Sequence, residues 1–290
     1  MSFFQLIILA VIQGLAELLP VSSSAHVVVA EKLMGLDPSS PEMTLVLVML
    51  HTGTMFAVIL YFWNQWRKAY FESAARFKSF AWHVVLATAL TGIIGLGITR
   101  VMERTVFRSV PHAEVEDFFG HLELIAPALA AAGVLIIIAG LSRNHSDRKE
   151  VMAANRSMST SQAGLIGVIQ GLCLPFRGFS RSGATISTGM LTGVSKMRAE
   201  SFSFALAVVL TPLVVGREVF RLFHAHAAAG AGSVTSSIGL SLVGAFFAFL
   251  AGLLALKWLS RWLEAGRWHY FGFYCLAAAV AVFVLHQMGY

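Results

Sequence analysis

The chain has 290 residues, of which 57% are hydrophobic and only 12% are charged, and its mean hydropathy is +0.74. A soluble domain carries roughly 25% charged residues, so these values exclude a soluble globule and predict an all-α integral membrane protein surrounded by membrane lipids. The net charge of +6 does not indicate a nucleic-acid partner, because the basic residues lie in short loops between apolar runs, where they set the orientation of membrane spans.

The first half of the chain begins with an interrupted apolar stretch. Phe3–Leu19 ends in the polar break Pro20–Ser24, and the run Ala25–Met34 that follows is too short to cross a hydrocarbon core, which takes about 20 helical residues. Irregular backbone at membrane depth is tolerated only inside protein or beside a water-filled cavity. We therefore expect a re-entrant pair of half-helices here, followed by three spans at Met43–Trp63, Ala81–Thr99 and His121–Leu141.

The same plan recurs in the second half. Ala163–Pro175 ends in the polar break Phe176–Gly183 and is followed by the short run Ala184–Val194. A second re-entrant pair is therefore predicted. Three more spans follow, at Ser201–Phe223, Thr235–Leu256 and Tyr270–Gln287.

An internal repeat relates the two halves. The sequence Val11–Leu15 (VIQGL) recurs as Val168–Leu172, an offset of 157, and a proline and a serine-rich break follow both copies. Residues 1–141 and 161–290 are therefore predicted to be two repeats of one membrane domain. Three is an odd number of spans, so the second repeat should have inverted topology, a plan that places binding sites near the midplane.

The loop charges predict the orientation in the membrane. Counted with the N-terminus on one side, the opposite side holds thirteen Lys and Arg residues and the N-terminal side only six. By the positive-inside rule the richer side faces the cytoplasm. We therefore expect a multi-pass membrane protein with both termini outside the cytoplasm.

The first break carries a polar cluster whose members are Gln13, Glu17, Ser22, Ser23, Ser24 and His26. Gln13 and Glu17 are four residues apart and share a helix face, and their oxygens suit a divalent cation, Mg²⁺ or Ca²⁺. Ser23 and His26 could form a nucleophile and base pair. The plainer alternative is that Gln13 and Glu17 join helices while the serines cap them. An ionisable group at membrane depth is, however, a functional candidate by default.

The second break predicts a cradle for a phosphate group. Glycines let backbone amides converge, and the positive end of the following half-helix favours an anion. Arg181 can grip a phosphate with two parallel hydrogen bonds, and the alternative is a loop whose arginines face lipid headgroups. Together with the first break, this pattern fits diphosphate. The predicted cradle comprises Arg177, Gly178, Ser180, Arg181, Ser182, Gly183 and Thr185.

One mid-span residue, His51, has two interpretations. His51 lies beside Thr52 and Gly53 in the middle of the span Met43–Trp63. It fits a satisfied interior histidine as well as it fits a site residue.

Both breaks resemble a known family. The segment from Gln13 to His26 reads QGLAELLPVSSSAH and resembles the [E/Q]xxxE…LPxSSxGH signature of the undecaprenyl-pyrophosphate phosphatases of the bacitracin-resistance type. Gly178 to Thr185 reads GFSRSGAT and matches that family's PGxSRSxxT signature from its glycine onward. The resemblance covers the whole chain. It departs from the pattern at Leu18 (an aromatic in the family), Ala25 (glycine) and Arg177 (proline).

The resemblance implies hydrolysis of undecaprenyl diphosphate, a polyprenyl diphosphate lipid, to undecaprenyl phosphate and inorganic phosphate. This reaction recycles the lipid carrier for cell-wall synthesis, and the family is associated with bacitracin resistance. The resemblance also implies a divalent cation and a location in the bacterial inner membrane, with both termini in the periplasm and a site open to that side.

For the mechanism we expect Ser23 to attack with His26 as base, or His26 to activate water directly. Glu17 and Gln13 would hold the metal or manage a proton, and Ser22, Ser24 and the cradle would bind substrate. A transporter or flippase of a polyprenyl phosphate lipid, built on the same inverted repeat, is the alternative. The oligomeric state is not predicted by these patterns.

Overall fold

The computed structural model describes residues 1–37, 41–105, 122–143, 157–176, 178–229 and 234–288. Within these ranges all regular secondary structure is α-helical. The described residues form ten helices in the order α1 (Phe3–Leu18), α2 (Ser23–Leu33), α3 (Pro41–Tyr70), α4 (Ala74–Thr105), α5 (Leu122–Arg143), α6 (Thr160–Cys173), α7 (Arg181–Leu191), α8 (Lys196–Ala229), α9 (Val234–Glu264) and α10 (Trp268–Gln287).

Five of the described helices are long and apolar enough to cross a membrane, which confirms the all-α membrane class. The predicted span Ser201–Phe223 lies within α8, part of whose side chains is outside the described residues, and it stays a prediction. The five candidate spans are Leu45–Tyr70, Ala74–Met102, Leu122–Ser142, Gly239–Glu264 and Trp268–Gln287.

Helices α1 and α2 form an antiparallel hairpin. Ser2 caps α1 in a capping box with Gln5, and the side-chain amide of Gln5 donates to the carbonyl of Met34, just beyond α2. α2 ends in a Schellman motif, in which Gly35 adopts φ +66° and the amide of Leu36 reaches back to the carbonyl of Glu31. The first and last turns of the pair therefore lie side by side.

Helices α6 and α7 form a second hairpin with the same features. Ser159 and Gln162 make the capping box, Gln162 donates to the carbonyl of Thr192, and Gly193 with φ +94° ends the pair in a Schellman motif. At about 1.5 Å per residue, even α1 with its 16 residues is shorter than a hydrocarbon core of about 30 Å. The division into inverted repeats stays a prediction.

The described chain divides into two compact units. The first comprises residues 1–19, 23–63 and 207–259, and the second comprises residues 20–22, 64–206 and 260–290. The first unit has an apolar core to which α1, α2, α3 and α9 contribute. Its buried members are Leu6, Leu9, Ala10, Val27, Met43, Val46, Leu50 and Ala248.

Glycines let α9 lie unusually close to both α1 and α3 in the first unit. A Cβ on Gly14 would be 2.6 Å from the carbonyl oxygen of Ala248, and one on Gly53 would be 2.1 Å from that of Ala245. Gly252 of α9 faces Leu18 and Ala57, one from each of the two helices. α1, α3 and α9 are therefore held in a fixed spacing by backbone contact.

The second unit is built around the other hairpin. α6 packs on α4, where the hydroxyl of Thr91 donates to the carbonyl of Gly167 at 3.0 Å and receives the amide of Gln170 at 3.1 Å. α7 is joined to α10 by a hydrogen bond from the indole of Trp268 to Ser187. These polar contacts are buried, so they fix α6 and α7 against their neighbours.

Candidate active site

Glu17 is the centre of the first polar cluster. It lies one turn after Gln13 on α1, as the four-residue spacing predicts, and Gln13 donates to its Oε2 atom at 3.3 Å. The hydroxyl of Ser23, the first residue of α2, donates to the same oxygen at 2.5 Å. Gln13 is fully buried, whereas the Glu17 side chain keeps 16% of its surface accessible. A carboxylate in this position can accept the proton of the Ser23 hydroxyl.

The turn between α1 and α2 brings Ser23 to Glu17. α1 ends at Leu18, because Pro20 cannot continue a helix. Ser22 then adopts φ +67°, a left-handed conformation that only a few per cent of residues other than glycine adopt. Such conformations cost about 1–3 kcal/mol and cluster at functional sites. The strained residue turns the chain so that α2 begins with Ser23 facing the end of α1.

A third side chain approaches Glu17 from α3. Nε2 of His51 lies 3.7 Å from Oε2 of Glu17, and Nδ1 of the same ring lies 2.8 Å from the carbonyl oxygen of Leu47. The sequence left the role of His51 open, and the structure places it beside the predicted carboxylate. We call Gln13, Glu17, Ser23 and His51 the carboxylate cluster.

The remaining residues of the first break lie on or next to α2. Ser22 is buried, and Ser24 and His26 are half-buried. His26 lies three residues after Ser23 and so shares its helix face. The contact seen at the Ser23 hydroxyl is with Glu17 rather than with His26, and the predicted Ser23–His26 pairing stays a prediction.

The oxygen atoms of Glu17 and Gln13 suit a cation whose other ligands come from substrate and water. Among the described residues no group of three His, Cys, Asp or Glu side chains could hold a metal ion. Glu17 offers one carboxylate, and Gln13 offers an amide oxygen if its side-chain amide is turned by 180°, which keeps the shape unchanged. Ca²⁺ takes six to eight oxygen ligands, whereas Mg²⁺ is commonly bound by one or two carboxylates with waters and phosphates. The residues therefore fit Mg²⁺ better than Ca²⁺.

The second polar cluster lies at the start of α7 and just before it, and we call it the α7 cradle. Its described members are Gly178, Ser180, Arg181, Ser182, Gly183 and Thr185. Ser180 is the N-cap and accepts a hydrogen bond from the amide of Gly183 at 3.2 Å. Gly178 has φ +104°, and a Cβ there would be 2.5 Å from the carbonyl oxygen of Ile125. A Cβ on Gly183 would be 2.7 Å from Ile136. Gly178 is therefore required for the loop to lie against α5, whereas the side chain of Ile136 could move to admit a Cβ at Gly183.

The hydroxyls of the α7 cradle are largely used to hold it in place. Thr185 is fully buried, and its hydroxyl donates to the carbonyl of Arg181 at 2.8 Å. The same hydroxyl lies 2.6 Å from the hydroxyl of Ser203 on α8. Ser180 and Ser182 are also buried. Arg181 is the first residue of α7 and is half-buried. Its predicted role in phosphate binding, with the amides at the helix start, stays a prediction. Arg177 lies outside the described residues.

Both clusters could be predicted from the sequence, but some of the contacts that support them could not. The hydrogen bond from Ser23 to Glu17 and the proximity of His51 to the Glu17 carboxylate were not predicted. The signal for His51 was the polar triplet His51–Gly53 inside an apolar run, where each polar residue needs a reason. The bond from Thr185 to Ser203 had no signal in the sequence, because it joins two different helices.

Comparison with known proteins places the chain in a family. The family model described as "Bacitracin resistance protein BacA" matches residues 6–281. Undecaprenyl-diphosphatase 2 of Acinetobacter baylyi is 56% identical over 98% of both chains, and undecaprenyl-diphosphatase 2 of Burkholderia ambifaria is 31% identical over 99% of both. Undecaprenyl-diphosphatase of Rhodopirellula baltica is 29% identical over 98% of both. The chain therefore belongs to the bacitracin resistance protein BacA family.

Proposed function

We propose that the chain is an undecaprenyl-diphosphatase, which hydrolyses undecaprenyl diphosphate to undecaprenyl phosphate and inorganic phosphate. The single observation that carries this proposal is the Ser23 hydroxyl held 2.5 Å from a partly accessible carboxylate. A relative of 56% identity over nearly the whole chain bears the name of this activity. The product is the lipid carrier of cell-wall synthesis, and its recycling underlies bacitracin resistance.

Ser23 is the nucleophile in this proposal, and Glu17 is its base. The Ser23 oxygen attacks the terminal phosphorus while its proton passes to Glu17. The anhydride bond breaks, and undecaprenyl phosphate leaves with both electrons of that bond. Water then attacks the phosphoserine, which releases inorganic phosphate and restores the serine hydroxyl. Glu17 is thus the base for the attack by Ser23, whereas the sequence suggested His26 for that role.

The role of His26 depends on which of two schemes operates. When Ser23 is the nucleophile, His26 shares a helix face with it and can exchange a proton with the phosphate oxygens. In the alternative scheme His26 activates water for direct attack, and Ser23 only donates a hydrogen bond. The two schemes differ in whether a phosphoserine forms.

The α7 cradle binds the phosphates. Arg181 stands at the first turn of α7, where the positive end of the helix dipole also attracts anions. A guanidinium can grip two phosphate oxygens at once. Ser180 and Thr185 support this proposal through the bonds that fix the start of the helix.

A divalent cation belongs to the proposal as a cofactor. Glu17 and Gln13 would hold it, together with water and phosphate oxygens. When bound, such an ion neutralises phosphate charge and so favours attack by an anionic nucleophile.

Six spans and two re-entrant hairpins make up the membrane domain in this proposal. Both hairpins are shorter than the hydrocarbon core, and each has its ends closed by a glutamine side chain. The loop charges support periplasmic termini, with the Gln5–Met34 end of the first hairpin on that side. The active site at the hairpin turn is proposed to open to the periplasm, as the family resemblance implies. The polyprenyl chain stays in hydrocarbon because it is apolar.

A lipid transporter is less well supported by the site. Transport needs binding groups, but it does not need a serine hydroxyl paired with a carboxylate. The curated relatives with which the chain was compared are named as diphosphatases.

Phosphate release by the purified full chain in detergent tests the proposal. Undecaprenyl diphosphate should yield one inorganic phosphate per lipid, and the Ser23→Ala substitution should abolish this release. Acid quench within one turnover, followed by mass analysis of the peptide Val21–His26, should find phosphate on Ser23. If the folded protein released no phosphate above the uncatalysed rate, the proposed function would be wrong. If it turned over without a phosphorylated peptide and Ser23→Ala kept activity, His26 and water would replace Ser23.

A further inference from the structure

A chain of two hydroxyl groups joins the α7 cradle to α8. The hydroxyl oxygen of Thr185 lies 2.6 Å from that of Ser203 and 2.8 Å from the carbonyl oxygen of Arg181. Thr185 and Ser203 are both fully buried, so water does not compete for either contact. All three residues belong to the second compact unit. The first residue of α7 is therefore connected to a neighbouring helix through polar side chains.

The neighbours of the Thr185 hydroxyl define which group donates at each step. The carbonyl oxygens of Arg181 and Ser182, at 2.8 and 3.4 Å, can only accept, so the single hydrogen of Thr185 points to the nearer one, on Arg181. The opposite order would leave the buried hydroxyl hydrogen of Ser203 without an acceptor among the described residues, and an unmade buried hydrogen bond is costly. Ser203 therefore donates to Thr185, and Thr185 donates to Arg181.

Small residues bring α7 and α8 close enough for this contact. Gly189 lies one turn after Thr185 on α7, and Ala199 lies one turn before Ser203 on α8. A Cβ on Gly189 would be 2.8 Å from the Cβ of Ala199. The two contacts advance in opposite directions along the chain, so the helices run antiparallel here. α8 thus holds α7 at two successive turns, and the turn nearer to the cradle carries the polar contact.

The contact with Ser203 restricts the rotation of α7 more than the packing on α5 does. The cradle meets α5 through Gly178 and Gly183, which have no side chain that could bond. A hydrogen bond is directional, because it weakens steeply when its angle closes. Arg181 and Thr185 are four residues apart and share a helix face. The bond that holds Thr185 therefore also fixes the direction in which Arg181 leaves the helix.

We propose that Ser203 is a positioning residue, which aligns Arg181 for phosphate by donating a hydrogen bond to Thr185. The proposal rests on the proposed function, in which Arg181 grips a phosphate. It adds a residue from α8 that lies outside both sequence signatures. Ser203 touches no substrate in this role. Its effect reaches the phosphate only through the orientation of α7.

Replacing Ser203 by alanine removes the donor, and Ser201→Ala is the matched control. Ser201 is two residues away on α8, is also buried, and accepts the indole N–H of Trp66 on α3 at 2.9 Å. Each variant therefore loses one buried hydrogen bond to another helix, and their melting temperatures should fall by similar amounts. Ser203→Ala should lower kcat/KM for undecaprenyl diphosphate about tenfold, the factor that one ordinary hydrogen bond contributes. Ser201→Ala should change it less than about twofold, because its bond leads away from α7.

A double-mutant cycle with Arg181 tests whether the effect of Ser203 passes through that residue. In an Arg181→Lys background, Ser203→Ala should lower kcat/KM less than about twofold, because the planar grip that it aligns is already lost. A general loosening of the fold would instead cost about the same factor in both backgrounds. That result would overturn the proposal, and so would a kcat/KM in Ser203→Ala equal to that in Ser201→Ala.

Hydrogen exchange of the detergent-purified full chain, followed by mass spectrometry, tests the contact without turnover. Ser203→Ala should speed amide exchange over Arg181–Leu191 about tenfold, and Ser201→Ala should not. Thr185→Val keeps the shape of the side chain and removes the same bond, so it should speed exchange as well, and it replaces Ser203→Ala if that variant does not fold. Unchanged exchange over α7 would overturn the proposal. If the wild type released no phosphate while these variants still loosened α7, the proposed function would be wrong and the anchoring of α7 by Ser203 would stand.

Discussion

Replacing Gly53 by alanine tests whether the backbone contact between α3 and α9 sets the geometry of the active site. The added Cβ would be 2.1 Å from the carbonyl oxygen of Ala245, 2.9 Å from its carbonyl carbon and 3.1 Å from its Cα. Carbon–oxygen contacts are comfortable at about 3.3 Å or more, so α3 and α9 must separate by roughly 1 Å. All three atoms belong to the backbone, and no side-chain rotation can relieve the contact.

The displacement acts on the carboxylate cluster. His51 moves with α3, whereas Glu17 stays with α1, which Gly14 holds against α9. The separation of Nε2 and Oε2, now 3.7 Å, then increases by up to roughly 1 Å, and the side chains around Glu17 lose their alignment. We expect kcat to fall about 10²-fold, as for other misplacements of about 1 Å, and the overpacked contact to cost about 1–3 kcal/mol of stability.

Phosphate release and thermal unfolding, measured on the same detergent-purified protein, check both parts of this prediction. Gly92→Ala on α4 is the matched control, because no heavy atom of the other described residues lies within 4 Å of a Cβ at that position. The control should keep full activity and be slightly more stable, since glycine costs a helix about 0.5–1 kcal/mol relative to alanine. If Gly53→Ala matched Gly92→Ala in both activity and melting temperature, the spacing of α3 and α9 would not govern the site.

Three further predictions concern the proposed chemistry and topology. Ser23→Ala should abolish turnover but still bind substrate, because the α7 cradle is intact; retained turnover in the folded variant would exclude Ser23 as nucleophile. Arg181→Lys keeps the charge but loses the planar two-point grip, so turnover should fall about 10²-fold, and near-normal activity would refute the phosphate clamp. A cysteine placed after Met1 should react with an impermeant thiol reagent in intact cells, and one in the loop 142–161 should not; the reverse pattern would refute the orientation.

The parts of the site that lie within one helix turn could be predicted from the sequence. Gln13 and Glu17 are four residues apart on an apolar helix, so their contact follows from helix periodicity alone. The cap at Ser180 likewise follows from a serine placed before a glycine-containing half-helix. The paired capping boxes were readable too, from Ser2 and Ser159 with glutamine three residues later.

Contacts that depend on a turn or on distant helices were not predictable. Ser23 meets Glu17 because Ser22 adopts φ +67°, and no sequence pattern assigns a left-handed conformation to the first of three serines. Without that turn, the three-residue spacing on α2 favoured His26 as the partner of Ser23. The proximity of His51 to Glu17 depends on how α1 and α3 pack on α9, and one sequence gives glycine positions but not their partners.

The packing of α9 has a consequence for the order in which the site is completed during synthesis. The α1–α2 hairpin closes between Gln5 and Met34, only 29 residues apart, so it can form as soon as that short segment is made. Gly53 finds its partner only in Ala245, 192 residues later, and Gly14 only in Ala248, 234 residues later. Local contacts form quickly, and distant ones must wait for the chain. A nascent chain that stops before α9 would therefore contain Glu17 and Ser23 in a closed hairpin, but its carboxylate and His51 would not yet be held in register.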